Sequence, residues 1–107
     1  MKKNLLFIFL TFILLFLSGC IISFTPKNLN QTMHVGDDLK FTIELFQSQH
    51  DIKWFVDGKN QPASYGKTFF TYTPGSGDIG THYILVIETS EQAGSDPRMW
   101  QVTVTNP

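Results

Sequence analysis

The sequence of 107 residues is poor in the features that usually assign a chain to a functional class. Cysteine occurs once, at position 20, so the chain cannot form an internal disulfide. Charged residues make up only 16% of the chain, eight basic and nine acidic, and no basic cluster or stripe occurs. A nucleic acid or an anionic membrane surface is therefore not expected as a partner, because both are bound through clustered positive charge.

Patterns that carry catalysis or metal binding are also missing from the sequence. The histidines, at positions 34, 50 and 82, lack the His-x-His or His-x₃-His spacing of a metal site. No serine has a nucleophile-elbow context. Asp37, Asp38, Asp57 and Asp78 fall in glycine-containing turns on different loops, where aspartate is a common turn residue. We expect no metal, no cofactor and no catalytic residue.

The N-terminal segment has the layout of a secretion signal. Lys2 and Lys3 supply positive charge, and residues 5–17 form an apolar run that only Thr11 interrupts. A transmembrane anchor is one alternative, but a spanning helix needs about 20 apolar residues, more than this run provides. A plain secretory signal that leaves a free cysteine is the other alternative, and an exposed thiol is a liability in an oxidising compartment.

The end of this segment resembles the lipobox of bacterial lipoproteins, on the residues Leu17-Ser18-Gly19-Cys20. The resemblance implies that residues 1–19 are removed and that the thiol of Cys20 receives a diacylglyceryl group. It also implies a protein held in the bacterial cell envelope by the lipid on Cys20, including palmitate-type acyl chains. Ile21 stands where an aspartate favours inner-membrane retention in Gram-negative lipoproteins, so the outer membrane is favoured if the cell is Gram-negative.

The part that follows the signal is large enough for one domain. Cleavage before Cys20 leaves 88 residues with six basic and nine acidic side chains, and thus a net charge of −3. Eleven aromatic residues remain, and large rings fill a small core efficiently. We assign residues 20–21 to the lipidated N-terminus and residues 22–107 to the folded domain.

The pattern of this domain predicts an all-β structure. Short runs rich in Val, Ile, Thr, Phe and Tyr alternate with turns rich in Gly, Pro, Asn and Asp, and no sustained helical periodicity occurs. Residues 82–88 are apolar on both faces, which is typical of a central strand. The predicted strands cover residues 21–25, 39–46, 52–56, 68–73, 82–88 and 99–105.

The domain resembles the immunoglobulin-like sandwich and the related PKD-like modules of bacterial surface proteins. Trp54 stands where such domains carry the core tryptophan of strand C. Residues 78–84 (Asp-Ile-Gly-Thr-His-Tyr-Ile) match the Asp-x-Gly-x-Tyr-x-Cys corner that leads into strand F. Residues 69–74 (Phe-Phe-Thr-Tyr-Thr-Pro) resemble the strand that precedes this corner. The resemblance implies an antiparallel β-sandwich over residues 22–107.

Two residues depart from the pattern of this family. His82 replaces the corner tyrosine, and Ile84 replaces the second cysteine of the usual disulfide. The first cysteine would fall at Phe41, so the resemblance implies an apolar contact between Phe41 and Ile84 around Trp54. Asp78 and His82 then have structural roles at the corner, where the imidazole can donate to a backbone carbonyl as tyrosine does.

Alternation along the predicted strands also indicates a binding face. Period-2 alternation directs one set of side chains into the sandwich; these are Trp54, Val56, Ile84, Val86, Trp100, Val102 and Val104. A second set then points outward on strands C, F and G, which the resemblance places side by side; it comprises Phe55, Tyr83, Leu85, Ile87 and Met99. A contiguous apolar patch usually marks an interaction site. The alternatives are that residues 89–97 cover it, that residues 61–65 cover it, or that strand F is shifted by one residue.

The sequence favours a non-catalytic role in two forms. In the first, the domain is a binding or adhesion module for a protein or glycan partner at the envelope. In the second, it is a structural or assembly subunit of a larger envelope complex. An enzyme would need a pocket with convergent polar groups, for which the sequence gives no sign.

Overall fold

The computed structural model describes residues 21–46, 51–90 and 94–107, which form eight β-strands and two 3₁₀ turns. The predicted signal segment and Cys20 lie outside these residues. Within the described ranges, no helix reaches the length and hydrophobicity that a membrane span requires. The strands are β1 Ile21–Thr25, β2 Asn30–His34, β3 Leu39–Leu45, β4 Asp51–Val56, β5 Lys59–Asn60, β6 Phe69–Tyr72, β7 Gly80–Ser90 and β8 Gly94–Thr105, and the 3₁₀ turns are Pro62–Ser64 and Ser76–Asp78.

The strands form two sheets that enclose one hydrophobic core. One sheet has the order β1-β3-β6 and the other the order β2-β8-β7-β4-β5. Among the described strands, every neighbouring pair is antiparallel except β2 and β8. The predicted all-β sandwich is therefore confirmed, and β7 has neighbours on both sides, as its apolar faces indicated.

Aromatic rings from both sheets fill the core. Trp54 on β4 and Trp100 on β8 have no exposed surface, and their rings stack with centroids 6.3 Å apart. Phe70 from the other sheet stacks on Trp54 at 5.7 Å, and Phe41 lies 4.8 Å from Trp100. Each indole N–H donates to a backbone carbonyl, from Trp54 to that of residue 67 (2.9 Å) and from Trp100 to that of residue 26 (2.8 Å). The rings thus supply apolar burial without leaving these donors unpaired.

A β-bulge at the start of β1 adapts the strand to the core. Ile21 pairs with Leu45 but Ser23 pairs with Glu44, so Ile22 is an extra residue on β1. As a result Ile21 is buried while Ile22 is 60% exposed. The backbone N–H of Ile21 donates to the buried carboxylate of Asp96 at 3.1 Å. This hydrogen bond ties Ile21, the first described residue, to β8.

Besides the two-residue strand β5, the parallel strand β2 is the element that the sequence pattern did not indicate. It runs from Asn30, opposite Gln101, to His34, opposite Thr105. Met33 is its only buried side chain, so the strand has little hydrophobic pattern. His34 is the last residue of β2 and is exposed; His50 lies outside the described residues.

The β4–β5 hairpin has a tight turn, and the β7–β8 hairpin is longer than expected. Asp57 and Gly58 connect β4 to β5 with positive φ angles of 51° and 80°, which suit a two-residue hairpin turn. β7 and β8 pair without interruption until Ser90 lies opposite Gly94. These strands therefore extend beyond the expected limits of 82–88 and 99–105.

Candidate binding face

One row of apolar side chains crosses the outer surface of the five-stranded sheet. Phe55 on β4 lies directly opposite Leu85 on β7, and Leu85 lies directly opposite Met99 on β8. Directly paired side chains on one face have Cβ atoms about 5 Å apart, so these three side chains adjoin. The next residue along β7, Val86, is fully buried, which directs the row away from the core.

Two further apolar residues extend this row along β7. Ile87 lies between Lys53 and Pro97, and Tyr83 lies opposite Gln101. Tyr83 is 42% exposed and Met99 is 51% exposed, while the side chains at 55, 85 and 87 are half-buried. We call the surface formed by Phe55, Tyr83, Leu85, Ile87 and Met99 the outer face.

The described chain leaves the outer face partly exposed, with Tyr65 near its edge, where the ring lies 5.9 Å from the ammonium of Lys53. Residues 89–90 and 94–97 continue the β7–β8 hairpin, and only residues 91–93 of that connection lie outside the described residues. Residues 61–66 run along the edge of β4, where the N–H groups of Gln61 and Gly66 donate to the carbonyls of Trp54 and Ile52. Strand β7 is not shifted, since Ile84 is fully buried.

Phe41 and Ile84, which stand at the two cysteine positions of the immunoglobulin-like pattern, lie in the core. Phe41, Trp54 and Ile84 have no exposed surface and belong to one cluster of buried side chains. The ring of Phe41 has Trp100 as its aromatic partner. Apolar packing thus occupies the region where immunoglobulin domains carry a disulfide between the two sheets.

His82 forms a corner that resembles the expected one and has an additional partner. Its Nε2 lies 2.6 Å from the backbone carbonyl oxygen of Asp78, and its Nδ1 lies 2.6 Å from the Asp57 carboxylate. Because both partners are acceptors, both ring nitrogens carry hydrogen, and the imidazole is a cation. The second Asp57 oxygen accepts the backbone N–H of Tyr83 at 2.8 Å. The corner therefore joins the β4–β5 hairpin to the start of β7.

These contacts shift the pKa values of both side chains. The hydrogen bond to Asp57 raises the pKa of His82 above its ordinary 6.5, although partial burial opposes this change. Partial burial alone would raise the pKa of Asp57, but hydrogen bonds from His82 and from the Tyr83 N–H outweigh it. The pKa of Asp57 is consequently held below its ordinary 3.8.

Of the other loop carboxylates, Asp37 and Asp78 serve their own turns, whereas Asp38 contacts the loop that follows β6. Asp37 accepts the backbone N–H of His34 at 3.0 Å, and Asp38 accepts the hydroxyl of Thr73 at 2.5 Å. Asp78 accepts the backbone N–H of Gly75 at 2.8 Å. Among the described residues, no group of three or more His, Cys, Asp or Glu side chains could hold a metal ion. Asp57 and Asp78 lie on different loops, and both approach His82, Asp57 through its carboxylate and Asp78 through its backbone carbonyl.

Comparison with known proteins establishes the fold alone. No protein-family model and no curated protein matches the chain. A fibronectin(III)-like module of Clostridium thermocellum CbhA is 22% identical with a TM-score of 0.54, and the match covers 80% of this chain and 98% of that one. The titin M3 domain is 21% identical with a TM-score of 0.52, over 82% and 100% of the two chains. The fold is an immunoglobulin-like sandwich.

A third similar structure has a bound glycan. It is the Bacteroides ovatus protein SGBP-B of a mixed-linkage glucan utilization locus, in complex with a mixed-linkage heptasaccharide. It is 15% identical with a TM-score of 0.57, and the match covers 77% of this chain. This immunoglobulin-like chain spans only 22% of that larger protein.

Proposed function

We propose that this chain is a lipid-anchored, non-catalytic binding module of the bacterial cell envelope that captures a protein partner through its outer face. The observation that carries the proposal is the continuous row Phe55–Leu85–Met99 on the outside of the sheet. Such a row has no role in the core of the domain, because the opposite side of the same strands supplies the core. Contiguous apolar surface on a folded domain typically marks an interaction site.

The chemistry of the outer face suits a protein better than a glycan. Leu85, Ile87 and Met99 are aliphatic. The outer face has two aromatic residues, of which Tyr83 is more exposed than Phe55. Aromatic residues and methionine are enriched at the centres of protein interfaces. Among the five side chains of the row, only Tyr83 carries a hydroxyl, so the glycan-binding neighbour supports the fold rather than the ligand.

Attachment to the membrane would place the outer face within reach of other membrane proteins. Cys20 directly precedes Ile21, the first residue of β1, so almost no tether separates the lipid from the sandwich. Flexible linkers that reach across a gap are long and rich in Gly and Ser. We therefore expect a partner in or at the same membrane, either as a captured ligand or as a stable subunit of an assembly.

Photocrosslinking in intact cells tests this proposal. A photoreactive amino acid replaces Met99 on the outer face, and in a matched control it replaces Ile79, which is 50% exposed between the 3₁₀ turn Ser76–Asp78 and the start of β7. We expect a discrete protein adduct from position 99 and none from position 79. The same adduct from both positions, or an adduct that glycosidases remove, would contradict a protein site on the outer face.

A further inference from the structure

We infer that Ile22 and Phe46 form an apolar tip that enters the lipid bilayer beside the anchor. Among the described residues these are the two most exposed large hydrophobic side chains, at 60% and 68%. Ile22 lies on β1 and Phe46 directly follows β3, and both strands belong to the three-stranded sheet, on the other side of the sandwich from the outer face. The tip is therefore a second surface with a different partner.

The antiparallel register places the two side chains at the same end of the three-stranded sheet, on either side of one residue pair. Ile21 on β1 pairs with Leu45 on β3, so the residues next to this pair, Ile22 and Phe46, lie at the same end of the sheet. Ile21 and Leu45 pack toward the core, and alternation turns their neighbours outward. The bulge makes Ile22 an extra residue on the outward side.

The position of the anchor identifies the bilayer as the partner. The Cα atoms of Cys20 and Ile21 are one residue apart, about 3.8 Å. Ile21 is fixed in place, because its backbone N–H donates to buried Asp96. This step rests on the proposed lipidation of Cys20, which would hold this end of the sandwich against the membrane surface. Exposed isoleucine and phenylalanine side chains at that surface gain by leaving water.

Charges near the tip limit its depth and favour apolar over electrostatic binding. Glu44, opposite Ser23, is the next outward residue along β3. Asp51 is exposed at the start of β4, at the same end of the sandwich. These carboxylates must stay in water, so the tip reaches only the boundary between headgroups and acyl chains. Its insertion should therefore be as deep in neutral phosphatidylcholine as in membranes that contain anionic lipid.

The test uses the full chain, purified in its lipidated form and reconstituted into phosphatidylcholine vesicles. Cys20 is the only cysteine and its thiol is consumed by lipid, so a cysteine introduced at one site can be spin-labelled selectively. The labelled variants are Phe46→Cys at the tip and Ile79→Cys as a control of similar exposure. Phe46 is preferred to Ile22 because Ile22 is close to the processing site. Power saturation compares contact of each label with membrane-soluble oxygen and with a water-soluble nickel chelate.

The expected result is a several-fold higher ratio of oxygen to nickel accessibility at position 46 than at position 79. Equal ratios at the two positions, in protein that floats with the vesicles, would overturn the tip while leaving lipidation intact. Protein that does not float would overturn lipidation and the tip with it. A rise in the ratio at position 46 only when anionic lipid is added would also overturn the apolar mode of insertion.

Discussion

The imidazole of His82 lies 2.6 Å from the carboxylate of Asp57, although 25 residues separate them in the chain. The pair is completed by the Asp78 carbonyl, which accepts from the other ring nitrogen. In immunoglobulin domains a tyrosine closes the equivalent corner with a hydrogen bond to the backbone. Here a charged imidazole closes it with two, and this makes the corner sensitive to pH.

The stability of the domain should decline as the pH rises above neutrality. The raised pKa of His82 means that its stabilising contribution is fully present below pH 6.5 and is lost as the pH rises through the folded-state value. The lowered pKa of Asp57 means that its contribution is present above pH 3.8 and is lost as the pH falls through its folded-state value. The pair therefore stabilises the fold most between these limits, by roughly 1 kcal/mol or less since it is partly exposed.

Urea unfolding of the His82→Gln variant from pH 5 to pH 8.5 checks this prediction. We expect the decline above pH 6.5 to be flatter in this variant than in the parent protein. His34→Gln is the control, because His34 is exposed and its ring contacts only the Thr105 hydroxyl among the described residues. A decline of equal slope in the parent and in His82→Gln would contradict the role of the imidazole.

Replacing Trp54 with alanine should unfold or nearly unfold the domain. The indole is fully buried between Trp100 and Phe70, and no disulfide supports the core around it. Removing such a ring costs roughly 3–5 kcal/mol. Phe69→Ala, which removes a ring that is 41% exposed, should cost about 1 kcal/mol or less. A urea midpoint for Trp54→Ala within error of the parent value would show that the core is described wrongly.

Hydrophobic periodicity predicted six of the eight described strands, because their inward side chains are the ones that the core requires. Alternation likewise assigned Ile84 to the core and Leu85 to the outer face before any pairing was known. β2 could not be found this way, since it has a single buried side chain, Met33. Its position depends on backbone hydrogen bonds to the free edge of β8, which side-chain patterns do not record.

Contacts between distant loops were the other part that the sequence could not predict. Asp57 was expected to serve only its own hairpin, and its neighbour Gly58 supports that view. Its contact with His82 depends on the register of β4 against β7, which brings residue 57 beside Tyr83. The contact of His82 with a backbone carbonyl could be predicted from the local corner motif alone. The contact with Asp57, 25 residues away, could be predicted only from the pairing of the strands in the sheet.

Asp96 should hold the first strand in place. Its buried carboxylate accepts the backbone N–H of Ile21 and is also bonded by Arg98. Asp96→Ala should expose this amide to hydrogen exchange, lowering its protection by an amount that corresponds to roughly 1–3 kcal/mol. The exposed Asp51→Ala serves as the control and should leave the exchange rate unchanged. Unchanged protection of the Ile21 amide in Asp96→Ala would show that this hydrogen bond does not anchor β1.

A flexible tether between Cys20 and Ile21 should weaken partner capture if proximity to the membrane matters. An insertion of about twenty Gly and Ser residues has a typical end-to-end distance of about 25 Å, enough to release the sandwich from the bilayer surface. We expect less of the adduct at position 99 while palmitate labelling of Cys20 persists. An insertion of the same residues after Pro107, the last residue, is the control. Equal adduct yields with both insertions would argue that proximity is irrelevant.

The outer face can be tested by placing charge in its row without disturbing the core. Met99→Lys changes a half-exposed side chain, and the double variant Phe55→Lys, Leu85→Lys changes the centre of the row. Ile79→Lys introduces the same charge at a site of equal exposure outside the face. Each variant is first shown to be folded by its urea midpoint, so that loss of binding is not loss of structure.

The most direct measurement is the yield of the protein adduct from a photoreactive residue at position 83 in these variants. Position 83 is exposed within the outer face and is unchanged by the lysine substitutions. We predict that Met99→Lys and the double variant abolish the adduct while Ile79→Lys leaves its yield at the parent level. An undiminished yield in the folded double variant would contradict the claim that the outer face binds the partner.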